Sequence, residues 1–136
     1  MKDLLQGVWE HIQRFDTFAG SAYLGFAQAD AEMPYVVMQP GMSMSPDYRT
    51  DREYMQTRTI RFSVFGVSSI GVAEWIDKLE SAFTSTAMPV LIARGSVLNV
   101  MKGGDDLDLD PDRLDDGQEV WHGIIDLDFR IQRSEN

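Results

Sequence analysis

The sequence of 136 residues contains no cysteine. Disulfide bridges, thiolate nucleophiles and sulfur-based zinc sites are therefore excluded. It also lacks a long apolar run, since the longest, residues 88–93, includes a proline and falls far short of the roughly 18 residues of a membrane-spanning helix. Residues 1–15 carry Asp3 and Glu10, which interrupt the apolar core that a secretory signal needs. The sequence thus predicts a protein made in the cytosol.

Motifs of the common enzyme classes are missing as well. There is no G-x-S-x-G elbow, P-loop, G-x-G-x-x-G or H-E-x-x-H motif. His11 lies just off an apolar helical stripe and His122 on the polar side of a strand, so we predict surface or interface positions without chemistry. Asp126 and Asp128 share one strand face with Arg130, which favours a solvated or interfacial face over a catalytic carboxylate pair. We predict no enzymatic activity and no cofactor.

Basic residues are few, 12 against 22 acidic ones, and the net charge is −10. They form no stripe of the kind that grips phosphates, so direct nucleic-acid binding is not expected. The negative charge is concentrated in residues 103–119, where one arginine, Arg113, accompanies eight acidic residues for a local charge of −7. These acidic residues are Asp105, Asp106, Asp108, Asp110, Asp112, Asp115, Asp116 and Glu119.

The acidic segment partly matches the spacing of a calcium-binding loop. Carboxylates occupy positions 1, 3, 5, 9 and 12 of an EF-hand if counting starts at Asp108. However, position 6 requires glycine for the sharp turn and is Arg113 here, and no helical pattern flanks the segment on both sides. We predict a solvated acidic turn and no metal site, with a calcium-dependent binding module built on residues 105–119 as an alternative of a different class.

Two segments have helical spacing. Leu5, Val8, Ile12 and Phe15 form one apolar stripe in the first fifteen residues. The second helix is predicted from an N-cap at Ser68 or Ser69 to about residue 83, with its stripe at Val72, Trp75, Ile76, Leu79 and Phe83.

Strand patterns occupy much of the remaining sequence. Alternation of apolar and polar residues predicts strands at 21–26, 35–39, 56–66 and 121–132, and one or two strands within 89–102. Residues 133–136 are predicted to be a polar tail. The order of elements predicts an α+β fold in a single domain over residues 1–136, a mainly antiparallel sheet of four to five strands with two helices packed on one face.

Residues 40–54 do not alternate, and we predict a long loop or a loosely held hairpin. Methionine and tyrosine mixed with charges of both signs are typical of adaptable interfaces. We therefore predict a partner interface formed by this loop and the polar face of the last strand. Its residues are Met42, Met44, Tyr48, Arg49, Arg52, Tyr54, Asp126, Asp128 and Arg130.

Several segments together resemble a known family. MPYVVMQ at 33–39 opens a strand, and TIRFSVF at 59–65 leads directly into a helix. YLG at 23–25 precedes them, and DPDR at 110–113 followed by VWHG at 120–123 enters the last strand. In order and spacing these patches resemble the tail terminator (tail completion) proteins of long-tailed bacteriophages, over nearly the whole chain.

The resemblance implies a structural virion subunit, assembled in the host cytoplasm, that acts in the tail or neck. Such a subunit forms a hexameric ring that caps the tail tube and contacts the head–tail connector protein. DNA passes through the ring without specific binding, and we place Asp105, Asp106, Asp108 and Asp110 as an acidic turn facing the lumen. A head-closure or connector protein of the neck, which also forms rings, is the nearest alternative.

Overall fold

The computed structural model of the protein describes residues 2–27, 31–41, 48–50, 53–85, 89–108 and 120–134. These residues contain two helices and six strands. In chain order they are α1 (Lys2–Ile12), β1 (Ala22–Leu24), β2 (Tyr35–Pro40), β3 (Tyr48–Thr50), β4 (Glu53–Gly66), α2 (Ser69–Thr84), β5 (Ser96–Asp108) and β6 (Trp121–Ser134).

All six strands belong to one sheet with the order β1-β2-β4-β6-β5, and β3 pairs with the first residues of β4. Every pair is antiparallel except β1–β2, which is parallel. Both helices pack on the same face of this sheet. The predicted α+β fold, with its mainly antiparallel sheet and two helices on one face, is confirmed.

The centre of the sheet is the long pairing of β4 with β6, which runs without interruption from Glu53 opposite Ser134 to Gly66 opposite Trp121. Successive strand residues point to opposite faces, so the alternation seen in the sequence decides which side chains are buried. The core side of these two strands carries Ile60, Phe62, Val64, Ile125, Leu127, Phe129 and Ile131, none of which is exposed to solvent.

The helices cover this apolar face with stripes of their own. α1 buries Leu4, Val8 and Ile12, and α2 buries Val72, Ile76 and Leu79. α2 begins at an N-cap of the expected kind, where the Ser68 hydroxyl accepts a hydrogen bond from the Gly71 N–H at 3.0 Å. None of the helices in the described part of the chain has the length and apolar character needed to cross a membrane.

Two glycines allow the layers to approach closely. A Cβ on Gly7 of α1 would collide with the carbonyl oxygen of Leu91, so the segment before β5 can cross the helix only there. A Cβ on Gly123 of β6 would lie 2.5 Å from Ile76 Cδ1 and 2.6 Å from Val72 Cγ1. The absence of a side chain at Gly123 therefore allows the short distance between α2 and β6.

Several predicted boundaries are wrong. Residues 89–93 form no strand, because this segment crosses α1 instead of joining the sheet. Over residues 40–54, where a long loop or a loosely held hairpin was predicted, residues 48–50 form β3 and pair with the start of β4, in agreement with the hairpin alternative. β5 continues through Asp108, paired with β6, where the sequence predicted a solvated turn. Pairing with a neighbouring strand outweighs the low strand propensity of glycine and aspartate there.

The predicted polar tail is also wrong at its start, because Arg133 belongs to β6 and its side chain is buried. Its guanidinium donates to Asp3 Oδ2 and Oδ1 at 2.8 and 3.1 Å, to Gln56 Oε1 at 2.6 Å and to the Arg94 carbonyl at 2.8 Å. Hydrogen bonding to Arg133 is the largest cause that lowers the pKa of Asp3 below its ordinary value of 3.8. Arg133 thus links the end of β6 to α1, to β4 and to the segment before β5.

His11, predicted at the surface, is 1% exposed and belongs to the core. Its ring lies between Phe15 and Phe83, with centroid distances of 5.4 and 4.8 Å. Nε2 lies 2.8 Å from the Ala82 carbonyl oxygen, and since a carbonyl can only accept, this nitrogen carries a proton. Burial lowers the pKa of His11 below 6.5, and the hydrogen bond to Ala82 offsets only part of that effect.

Candidate partner-binding surface

The face of the sheet opposite the helices, here called the open face, is covered by neither helix. The strand alternation that sends Ile60, Phe62 and Val64 into the core sends Thr59, Arg61, Ser63 and Phe65 to this side. The open face has two parts of different chemistry, one aromatic and one charged.

An aromatic row crosses four strands at one end of the open face. The register places Tyr35 opposite Phe65 and Phe65 opposite His122. Phe65 stacks on His122 with a centroid distance of 4.4 Å, and Tyr35 stacks on Phe65 at 5.2 Å. Tyr23 of β1 completes the row with an edge-on contact to Tyr35 at 6.0 Å. Burial is the main cause that raises the pKa of Tyr35 above 10, so this phenol stays a neutral donor.

Beside this row lies a groove of about 550 Å³, here called the aromatic groove. Its floor includes Val37 and Ser63, both largely buried. Phe26, 80% exposed, stands on its rim in the segment that follows β1. The Gln39 side chain holds that segment by donating to the Gly25 carbonyl at 3.0 Å. An open concave site with apolar and aromatic walls and a few hydroxyls fits apolar side chains of a partner.

The charged part of the open face is paired within the chain. Arg61 binds Asp126 through two hydrogen bonds of 2.9 and 3.1 Å, and this carboxylate raises the pKa of Arg61 above its ordinary value. The Thr59 hydroxyl donates to Asp128 Oδ1 at 2.6 Å. Asp126 and Asp128 therefore both have hydrogen-bond partners within the fold. The charged part of the open face is a polar surface whose side chains are held in place.

A second groove, of about 530 Å³, lies on the helix side between residues 15–18 and the C-terminal half of α2. Phe15, Phe18 and Ala82 supply its apolar lining, with Asp77 and Lys78 at its border. None of the described residues of the predicted interface lies there.

The predicted interface residues fall into three groups. Asp126, Asp128 and Arg130 do share the open face, and Arg130 is exposed there. Tyr48 and Arg49 lie in β3, and Tyr54 lies opposite Arg49 in β4. Met42, Met44 and Arg52 lie outside the described residues. The prediction that these residues contact partners stays a prediction.

Three residues of the predicted acidic turn belong to a strand. Asp105, Asp106 and Asp108 belong to β5, with Asp106 opposite Ile124 and Asp108 opposite His122. Asp110 lies outside the described residues, as do the other acidic positions of the calcium-loop match. Within the described ranges there is no group of three or more side chains that could hold a metal ion. A calcium-binding loop that started at Asp108 would therefore take its first ligand from the last paired residue of β5.

Sequence patterns did not identify the aromatic groove. Tyr35, Phe65 and His122 are distant in sequence, and only the strand register aligns them. One signal was present: Phe65 and Ile124 are apolar residues at positions where the alternation calls for polar ones. Apolar residues on the solvent side of a strand favour a covered or contacting face.

Comparison with known proteins gives a likeness of fold. No protein-family model matches the sequence, and no curated protein matches it. A chain from the virion of a native gene transfer agent particle has a similar structure, with a TM-score of 0.70 and 13% sequence identity. The similarity covers 98% of this chain and 96% of that chain. At this identity the two chains share a fold along essentially their whole length.

Proposed function

We propose that this chain is a structural subunit of a phage-like particle, and that it forms the tail terminator ring. The supporting observation is the likeness of fold to a virion chain over 98% of this chain and 96% of the other. The sequence patches at 23–25, 33–39, 59–65, 110–113 and 120–123 support the same assignment independently of the fold.

In this proposal the subunit acts by contact alone. Six copies form a ring that caps the tail tube and meets the connector protein below the head, and the protein is found in the tail or neck of the virion. The open face supports this role, because its ordered aromatic and ion-paired side chains make a rigid, laterally extended surface. Rigid surfaces lose little conformational freedom when they bind.

The charge of the chain fits a conduit for DNA. Six copies at −10 each carry −60, and an acidic lumen repels DNA instead of retaining it. We place residues 105–110 on the lumen side of the ring for this reason.

Native mass spectrometry over a range of protein concentrations, with negative-stain imaging, tests the proposal. We expect a sixfold ring, alone or after addition of the purified tail-tube protein from the same genome. In the presence of that tube protein, rings should appear at tube ends and limit tube length. Binding to a connector or portal protein with no effect on tube length would instead assign the chain to head closure. Stoichiometric calcium uptake that Asp108→Ala abolishes, without ring formation, would assign it to the calcium-binding class.

A further inference from the structure

The two edges of the sheet are unlike. β1 forms one edge with three residues, and its Ala22 carbonyl already accepts a hydrogen bond from Trp9 Nε1 at 3.0 Å. β5 forms the other edge with thirteen residues, and among the described residues only β6 pairs with it. Four inter-strand steps of about 4.8 Å place these edges about 19 Å apart. The two edges therefore lie on opposite sides of the sheet, and a different neighbour can contact each of them.

Each edge exposes large apolar side chains. Leu24 and Phe26 are 39% and 80% exposed at the β1 edge, and Leu98 and Met101 are 48% and 50% exposed on β5. Met101 lies opposite Asp128 in the register and therefore belongs to the open face, the same face that carries the aromatic groove. Paired exposure of this kind at both edges indicates contact surfaces.

β5 is built for side-chain contact rather than for strand addition. Its pairing with β6 shifts register between Val97 and Asn99 and again between Lys102 and Gly104. Such bulges bend an edge strand and interrupt the row of backbone donors and acceptors that another strand would need. Leu98 occupies the first of these irregularities, where an added partner strand would fit least well.

The aromatic groove complements this edge in chemistry. Its walls are Phe26, Tyr35, Phe65 and His122, and none of the lining residues that the structure describes is acidic. It therefore accepts apolar side chains such as those of Leu98 and Met101. Its volume of about 550 Å³ leaves room for more than one such side chain.

We propose that copies of this chain join edge to edge, with Leu98 and Met101 of one copy seated in the aromatic groove of the next. A second copy is the occupant, because the chain itself carries both the apolar edge on β5 and the groove, whose rim residue Phe26 follows the other edge strand, β1. A contact between two unlike surfaces is heterologous, and its repetition closes a ring when the rotation between neighbours allows it. The inference rests on the proposed ring and names the surfaces that form it.

Three sets of substitutions test the contact by sedimentation velocity and native mass spectrometry. Phe26→Glu disrupts the aromatic groove, and the double substitution Leu98→Glu/Met101→Glu disrupts the apolar edge that the groove would receive. Ile70→Glu is the matched control, since Ile70 is 72% exposed but lies in the first turn of α2, on the helix side of the sheet. We expect at least about 30-fold weaker self-association for either of the first two and wild-type assembly for the control. All variants should keep the wild-type circular dichroism, since each replaced side chain is exposed.

Mixing the two defective variants gives the decisive result. Each keeps one intact surface, so the Phe26→Glu chain and the Leu98→Glu/Met101→Glu chain should form a one-to-one dimer that grows no further. A mixture that stays monomeric, a wild type that is monomeric at every concentration, or assembly by either defective variant alone overturns the inference.

The outcome is separable from that of the proposed function. Rings that cap tail tubes but tolerate both edge variants would retain the terminator role and refute this contact. Edge-dependent oligomers that leave tube length unchanged would retain the contact and refute the terminator role.

Discussion

Arg133 joins four parts of the chain that are far apart in sequence. Its guanidinium reaches Asp3 in α1, Gln56 in β4 and the carbonyl of Arg94 ahead of β5. The side chains of Arg133 and Asp3 are only 8% and 16% exposed, so water solvates this ion pair poorly.

Arg133→Ala should therefore lower the free energy of unfolding by about 3–5 kcal/mol, because it removes the ion-pair partner of Asp3 and the hydrogen bonds to Gln56 and the Arg94 carbonyl from a buried site. Arg133→Lys should recover only part of this loss, since one ammonium cannot reproduce the planar set of donors. Urea denaturation measures both effects.

Arg130→Ala is the matched control, because Arg130 lies three residues earlier in the same strand but is exposed. It should change stability by no more than about 0.5 kcal/mol. Equal losses for Arg130→Ala and Arg133→Ala would contradict the assignment of a structural role to the buried network.

His11 gives the fold a pH dependence of defined sign. The pKa of His11 is below 6.5 in the folded protein, so the unfolded chain takes up a proton in a range where the folded chain does not. Stability is therefore fully present above about pH 6.5 and declines as the pH falls below it, toward the lower folded pKa. The groups that face the ring include the carbonyls of Ala82 and Pro89, and the Arg14 charge adds to the lowering.

His11→Gln should flatten this part of the curve, because glutamine can still donate to the Ala82 carbonyl but does not titrate. Thermal unfolding at several pH values between about 5 and 8 measures the difference between the two proteins. The range excludes the contribution of Asp3, whose pKa lies below 3.8. Parallel curves for wild type and His11→Gln would show that His11 has no part in the acid response.

At the scale of elements, the contact between α2 and β6 depends on the missing side chain of Gly123. Ile76 and Val72 approach the position that a Cβ would take to within 2.5 and 2.6 Å. The helix therefore packs directly against the strand backbone at this point.

Gly123→Ala should lower the free energy of unfolding by about 1–3 kcal/mol, because the added methyl group overpacks a filled core. Gly104→Ala in β5 is a matched control, since no heavy atom of the described residues, apart from its neighbours along the chain, lies within 4 Å of the added Cβ. Chemical denaturation compares the two. If Gly123→Ala left the free energy of unfolding unchanged, α2 would be able to shift on the sheet without loss of stability.

At the scale of the whole molecule, the net charge of −10 opposes assembly of identical copies. An edge contact made by apolar side chains does not depend on ion pairs, so salt should act mainly by screening repulsion between subunits. Raising the salt concentration from about 0.02 to about 0.5 M shortens the Debye length from roughly 20 Å to roughly 4 Å.

We therefore expect self-association to strengthen as salt rises, as measured by sedimentation velocity. The Asp105→Asn/Asp106→Asn variant, with two fewer negative charges, should assemble more readily at low salt and respond less to added salt. Dissociation of the wild type at high salt would show instead that ion pairs hold the copies together.

The sequence by itself determined most of the secondary structure and the composition of the core. The period-2 pattern at residues 56–66 and 121–132 and the stripe from Val72 to Phe83 are local, because side-chain direction follows directly from backbone geometry. The N-cap at Ser68 is local in the same sense. These features gave the fold class before any contact was known.

Only the tertiary structure decided the open face, the buried Arg133 and the extent of β5. The aromatic row requires Tyr35, Phe65 and His122 to meet through the register of three strands, and register depends on pairing over long sequence separations. Arg133 and His11 are polar by composition and buried by position, because their hydrogen-bond partners come from segments as distant as Asp3 and Ala82. The candidate site lies in these long-range contacts, which no local pattern encodes.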